Sequence, residues 1–407
     1  MLEGTTLNSK YLATFINNGD IKLLSSYDTT KTIISSSVES RTLDNSVLTP
    51  GASKEYSISL WMDKSVTLAD DAENKSFKAK VVIDASMYTG VVNKIVAQLD
   101  TTGKCPTVND DGTVNVTSAE SENSLLCSAP DNYGTSYYYR GNVTNNYVKF
   151  ANFYWQIVRI NGDGSIRMIY DGTSAHTNGE ASEDRIIGTS AFSERLDDNA
   201  YAGYMYGTPG SSTYEETHAN INDSTIKKYI DAWYEKNLKD TSYEQYLHDN
   251  IFCNDHSFAA NNSGTGASKS IIYYRWYNFA KSDYNNKMMF KCLQQNDAFT
   301  VNGNHIGNGN LKYEVGLITA DELVLAGGWN LNNSNYYLYT GQNSCTISPS
   351  DYALYGIIGH HIYLNGSAGF NTHSDRKYGV QPIINLKPNS LKSGDGTINN
   401  PYTVTTE

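Results

Sequence analysis

A chain of 407 residues is longer than one hydrophobic core usually organises, so two domains are expected. The formal charge of −12 and the lack of a Lys/Arg stripe argue against a nucleic-acid partner, and no apolar run reaches the roughly 18 residues a membrane span needs. Tyr, at 32, outnumbers Lys plus Arg, at 31, in a chain also rich in Asn, Ser, Thr and Gly. That is the palette of extracellular β proteins and of binding surfaces, where a Tyr ring gives contact area at small entropic cost. No basic, apolar, cleavable leader opens the chain, so an export or anchoring segment is expected to lie outside the sequence.

Residues 1–90 read as a β-sandwich-like stalk domain. Tyr56 to Met62 alternates apolar and polar, Phe77 to Ala85 follows after a polar loop, and Pro50-Gly51 makes a turn. Strands expected before Leu2 are missing, which would leave an open edge that a neighbouring chain could fill. Residues 91–136 read as a connector: Val91, Ile95 and Leu99 stand at helical spacing, and a hairpin turning at Asp111-Gly112 lies between Cys105 and Cys127.

A second domain, 137–407, opens with Val148 to Ile160, the turn Asn161-Gly162-Asp163-Gly164, and Ile166 to Tyr170, a strong hairpin signal. Without a DxDxDG and a distal Glu, the Asp-Gly pieces are turn chemistry and not a calcium loop. Asp223 to Leu238 reads as a helix with Ile226, Ile230, Trp233 and Leu238 along one side. Thr319 to Ala326 reads as a second, its Thr319 and Glu322 in capping-box register and Gly327-Gly328 at its end. Few helices among many strands make the fold class α+β.

From Asn343 to Arg376 the chain contains no Lys, Glu, Gln, Met or Trp, types that make up about one residue in seven elsewhere. The following Tyr378 to Leu386 reads as a buried strand, so this stretch is anchored at its end. It is read as a recognition surface whose outward-facing contacts are Asn343, Ser344, Ser350, Tyr352, Tyr355, His360, His361, Tyr363, Asn365, Asn371, His373 and Asp375. Taken singly, each of these is better explained by ordinary loop exposure; the cluster carries the reading.

Five cysteines leave one over. Cys105–Cys127 and Cys253–Cys292 are the expected bridges, with Cys345 unpaired; reduced buried thiols are the alternative. No CxxC pair or HExxH suggests a metal, and His360-His361 would face opposite sides of a strand. Gly303, Gly307 and Gly309 lack the Walker pattern, and no GxSxG elbow supports a triad drawn from His360, His361, His373 and Asp375. The expectation is a protein with no enzymatic activity and no cofactor.

Two resemblances add to this reading. RTLDNSVLTPGASKEYSISLWMDKSV with NKSFKAKVVIDA resembles the N-terminal β-sandwich of Gram-positive surface proteins, itself similar to camelysin-type fibre subunits. NNYVKFANFYWQIVRINGDGSIRMIYDG, GLITADELVLAGG, NYYLYTGQ and YGVQPIINLKPNS with GDGTINNPYTV resemble exported bacterial and phage-borne proteins with a C-type-lectin-like fold, related in shape to formylglycine-generating enzymes. In such proteins a TLSP-like segment, here Thr346-Ile347-Ser348-Pro349, opens the last sheet, and a GVRP-like strand, here Gly379-Val380-Gln381-Pro382, closes it. Gln381 stands where Arg is usual, and Asn343-Ser344-Cys345 where aromatic residues are common. The resemblance brings no calcium site, since EPN or QPN and WND triplets are missing, and no paired copper cysteines.

Some proteins of this type are diversified by retroelements that mutate template adenines. Asn codons of the AAY form then give Asn, Tyr, Ser, His, Asp and similar residues, never the five types missing from Asn343 to Arg376. An undiversified Tyr- and Ser-rich surface gives the same composition. The resemblance therefore implies a surface-displayed, adhesin-like protein that binds a protein or glycan, with a fibre or pilus subunit that self-assembles through its N-terminal domain as the alternative.

Overall fold

The computed structural model describes residues 7–16, 20–26, 55–67, 70, 72–78, 90–260, 262, 264–277, 287–329, 333–353, 357–364 and 367–404, with side chains except in 357–364 and 367–372. The chain divides into two units, Met1–Ser86 and Met87–Glu407.

Among the described residues the first unit contains one antiparallel sheet. Strand β1 (Leu12–Ile16) lies between β2 (Lys22–Leu23) and β3 (Ile58–Met62). Leu7, Leu12, Leu24 and Ala72 form its small core. The alternating run at Tyr56 to Met62 thus becomes a strand as expected, but a second facing sheet is not among the described residues. The strand expected over Phe77 to Ala85 lies outside them from Ala79 onward.

The second unit opens with helix α1 (Gly90–Val96) and the hairpin β4 (Thr107–Val108) and β5 (Val114–Asn115). Then come β6 (Ser124–Pro130), β7 (Thr135–Gly141), β8 (Tyr147–Phe150), β9 (Phe153–Ile160) and β10 (Ile166–Gly172). The middle carries short pieces: β11 (Thr189–Ala191), β12 (Met205–Tyr206), α2 (Tyr214–Thr217), β13 (Asn222–Asp223), α3 (Thr225–Asn237), β14 (Phe252–Cys253), β15 (Ile272–Tyr273), β16 (Lys287–Met288) and β17 (Ala298–Phe299). The end holds β18 (Val315–Gly316), α4 (Ala320–Leu325), β19 (Ser344–Ala353), β20 (Ile357–Leu364), β21 (Ser367–His373), β22 (Lys377–Gly379), β23 (Ile383–Leu386) and β24 (Tyr402–Thr403). The architecture is mixed and mostly sheet, with few helices.

An eight-stranded sheet in the order β18-β23-β10-β9-β7-β6, with β8 on β9 and β24 on β8, forms the framework. A six-stranded sheet runs β11-β22-β19-β20-β21, with β15 on β19. Residues 91–136, expected as a separate connector, are built into this unit instead. Val91, Val92 and Ile95 of α1 enter the main core, and β6 pairs with β7 inside the framework sheet. Short segments hide such membership, because the partners that bury them are distant in sequence.

Local chemistry accounts for the pieces that were legible. The β9–β10 turn closes through Gly164 N–H to Asn161 O at 2.8 Å, with Gly164 at φ +85°, a conformation open to glycine. Ser224 caps α3 by accepting the Lys227 N–H, and Ile226, Ile230 and Tyr234 bury its inner side. Thr319 and Glu322 make the full capping box of α4. Disulfides join Cys105 to Cys127 and Cys253 to Cys292.

Candidate functional site

The recognition stretch forms three consecutive antiparallel strands. β19 pairs with β20, Tyr352 opposite Ile358 and Ser344 opposite Tyr363, with irregularities between Cys345 and Asp351. β20 pairs with β21, His360 opposite Thr372 and His361 opposite Asn371. Among the described residues β21 ends the sheet. Polar, Gly-bearing sequence suits such an outer position better than the Val/Ile-rich runs of a central strand.

The expected contact residues separate into three groups. Asn343 and Asp375 are exposed and His373 is half-buried, so these three are available to a partner. Ser344, Ser350 and Tyr352 are not outward-facing contacts: the two serines have no exposed surface, and Tyr352 is 6% exposed. All ten residues of β19 are buried, because β15, β20 and β22 pair with it and the core packs behind it. Tyr355 and Asn365 lie outside the described residues, as do the side chains of His360, His361, Tyr363 and Asn371.

Cys345, the unpaired thiol, is also buried, and burial pushes its pKa up to about 12. A thiol held protonated is a poor nucleophile.

Behind β19 lies a buried polar cluster with no local signal in the sequence, since its members come from five separate segments. His218, His256, Tyr274, Asp297 and Asn199 are each at most 1% exposed. His256 Nδ1 lies 2.6 Å from Asp297 Oδ1, and the His256 backbone N–H donates to Asp297 Oδ2 at 2.7 Å. His218 Nδ1 lies 3.0 Å from the Tyr214 carbonyl oxygen and so carries a proton, while its Nε2 lies 2.9 Å from the Tyr274 hydroxyl. A neutral His218 needs that hydroxyl to donate to Nε2. Asn199 Oδ1 lies 2.8 Å beyond and accepts from that hydroxyl as the structure stands; when the hydroxyl donates to Nε2 instead, the Asn199 amide turns its otherwise orphaned nitrogen to the hydroxyl oxygen. Burial, reinforced by neighbouring His256, drives His218 well below its ordinary pKa against the pull of the Tyr214 carbonyl.

A second charged centre lies under α4. Arg159 of β9 and Arg167 of β10 stand directly opposite one another, a repulsive arrangement by itself. Glu322 resolves it, with Oε1 3.0 Å from Arg159 Nε and 2.6 Å from Arg167 Nε, while Asp131 takes Arg159 Nη1 at 2.9 Å. Burial opposes the Glu322 charge, but the two guanidinium groups outweigh it and hold the carboxyl below its ordinary pKa. The capping-box glutamate therefore has a second task that spacing alone did not show. Arg275 bridges Asp255 and Asp321 alongside. The cavity enclosed here measures about 20 Å³, room for a single water and far below the several hundred Å³ of a small-molecule site.

Among the described residues no three His, Cys, Asp or Glu gather as a metal site, and no helix is long and apolar enough to cross a membrane. The two disulfides are the covalent signature of a secreted chain. No family model, no curated protein and no solved structure matches this sequence or fold.

Proposed function

We propose that this is a secreted or surface-displayed, non-enzymatic binding protein, adhesin-like in role, whose lectin-like head recognises a protein or glycan through β20, β21, the exposed Asn343 and Asp375, and the half-buried His373. The observation that carries the reading is a coincidence of boundaries. The compositional gap from Asn343 to Arg376 spans β20, β21 and the buried strand β19 that ties them to the core. Such an arrangement separates what must pack from what is free to vary, as diversified binding surfaces require. Retroelement diversification belongs to the same proposal, and a nearby reverse transcriptase with a near-copy of these codons would be its genomic mark.

The test is to exchange residues 357–372 for other sequences free of the five missing types. Partner choice changes while the melting temperature stays within a few degrees. Loss of folding in most exchanges would mean that the hairpin is core, and the reading fails.

A fibre or pilus subunit is the second reading, favoured by one feature of the first unit. Strand β3 leaves Ile58, Leu60, Trp61 and Met62 exposed, a large apolar row for a five-residue strand. Self-association through that strand predicts concentration-dependent oligomers in sedimentation, abolished by Leu60→Lys; a monomer at all concentrations removes this reading.

A further inference from the structure

The buried cluster touches the recognition sheet at one place. Tyr274, which bonds His218, donates its backbone N–H to Ser350 O at 2.9 Å. The two residues before it pair with β19, Ile272 opposite Tyr352 and Tyr273 opposite Asp351, and Tyr352 packs with Tyr201, Ile272 and Tyr274. Whatever moves Tyr274 therefore moves the strand on which β20 and β21 hang.

We propose that buried His218 is an acid-sensitive latch for this sheet: below about pH 6.5 a proton that His218 takes up on opening holds the cluster open, detaches β15 from β19 and weakens binding by the hairpin beyond it. The regulatory meaning rests on the binding function proposed above; the opening itself does not.

The two imidazole rings meet edge to face, centroids 4.7 Å apart, each at most 1% exposed. Protonating His218 Nε2 makes it a donor to the Tyr274 hydroxyl oxygen, whose own hydrogen then turns to Asn199 Oδ1 2.8 Å away; the hydrogen bonds can be kept, but the positive charge stays buried with no carboxylate bonded to it. The facing groups offer little compensation. Tyr214 of α2 stacks on His218 at 4.2 Å and is neutral. The Asp297 carboxylate is committed to the backbone and ring N–H groups of His256. Asp255 is paired with Arg275, Glu215 of α2 points to solvent, and Asp351 sits on β19 across from Tyr273. An unfolded histidine binds a proton below about pH 6.5, whereas buried His218 resists one, so opening takes up a proton and becomes about tenfold more favourable for each pH unit lost.

Hydrogen exchange on the full chain between pH 8 and 5 tests the latch. After correction for intrinsic exchange, protection of the Ile272–Tyr274 and Ser350–Tyr352 amides falls about tenfold per pH unit below 6.5 while β9 and β10 stay protected. His218→Gln, which stays uncharged, flattens that fall. A uniform response of both sheets, no acid response in β15, or an unchanged slope in His218→Gln overturns the proposal; should the variant fail to fold, the wild-type profile decides alone. A hairpin exchange that leaves partner choice unaltered would sink the binding function without touching this result.

Discussion

Strands β10 and β19 are both buried over their full length, yet they achieve it in opposite ways. β10 carries Arg167 and Asp171 into the core, each met by a partner: Glu322 for Arg167 and Arg185 for Asp171. β19 carries Ser344, Thr346, Ser348 and Ser350, short side chains that need little space and leave the backbone ladder to do most of the hydrogen bonding. The framework strand is held by a few strong, mutually dependent contacts. The strand bearing the hairpin is held by pairing and shape, so polarity in its sequence was a poor guide to exposure.

The largest test of this contrast is Glu322→Gln. It leaves two facing arginines with half their compensation, and urea unfolding should show a loss of about 3–5 kcal/mol. Replacing Cys253 and Cys292 together by Ser opens a loop of sequence separation 39 and lowers stability by roughly 3–4 kcal/mol, read in the same assay. Within β19 the effects are smaller and of differing sign. Ser348 Oγ accepts the Ala320 N–H at the start of α4 at 3.0 Å, so Ser348→Ala should cost about 1–2 kcal/mol. Ser350 Oγ has no partner among the described residues, and Ser350→Ala should be neutral or slightly stabilising. Asn343→Ala and Asp375→Ala, both exposed, should change stability by no more than about 0.5 kcal/mol.

Acidity sharpens the comparison further. His176 is bonded to Glu180 and Asp184, at 3.0 and 2.7 Å; burial opposes its charge, but the two carboxylates outweigh burial and raise its pKa. Its contribution is complete below the unfolded value near 6.5 and is lost as pH rises through the raised folded value. His218 has the opposite sign, contributing above about 6.5 and losing that contribution as pH falls. A thermal-stability profile should therefore peak near pH 6.5, with His176→Gln flattening the alkaline side alone.

Much of the framework was legible because its signals are local. The Asp163-Gly164 turn, the Ser224 and Thr319 caps and the apolar side of α3 each declare themselves within a few residues. The Asp111-Gly112 turn pointed to Cys105–Cys127; Cys253–Cys292 was expected as the second bridge without such a turn, and both are formed. What stayed hidden depends on distant partners: the membership of α1 and β6 in the main core, the arginines converging on Glu322, and the His218–His256 cluster, whose members are spread from Asn199 to Asp297. Residues 343–376 were visible as a compositional gap, but composition could not mark the first of their three strands as buried.

The Cys253–Cys292 bridge ties together the two segments that supply His256 and Asp297, beside the pairing of Phe252 with Phe299. With the bridge reduced, those segments would be joined by the β14–β17 pairing and the His256–Asp297 contacts alone, and the lobe under β19 would open more readily. Oxidation fastens it, so the order of the lobe beneath β19 follows the redox poise of the compartment that holds the chain.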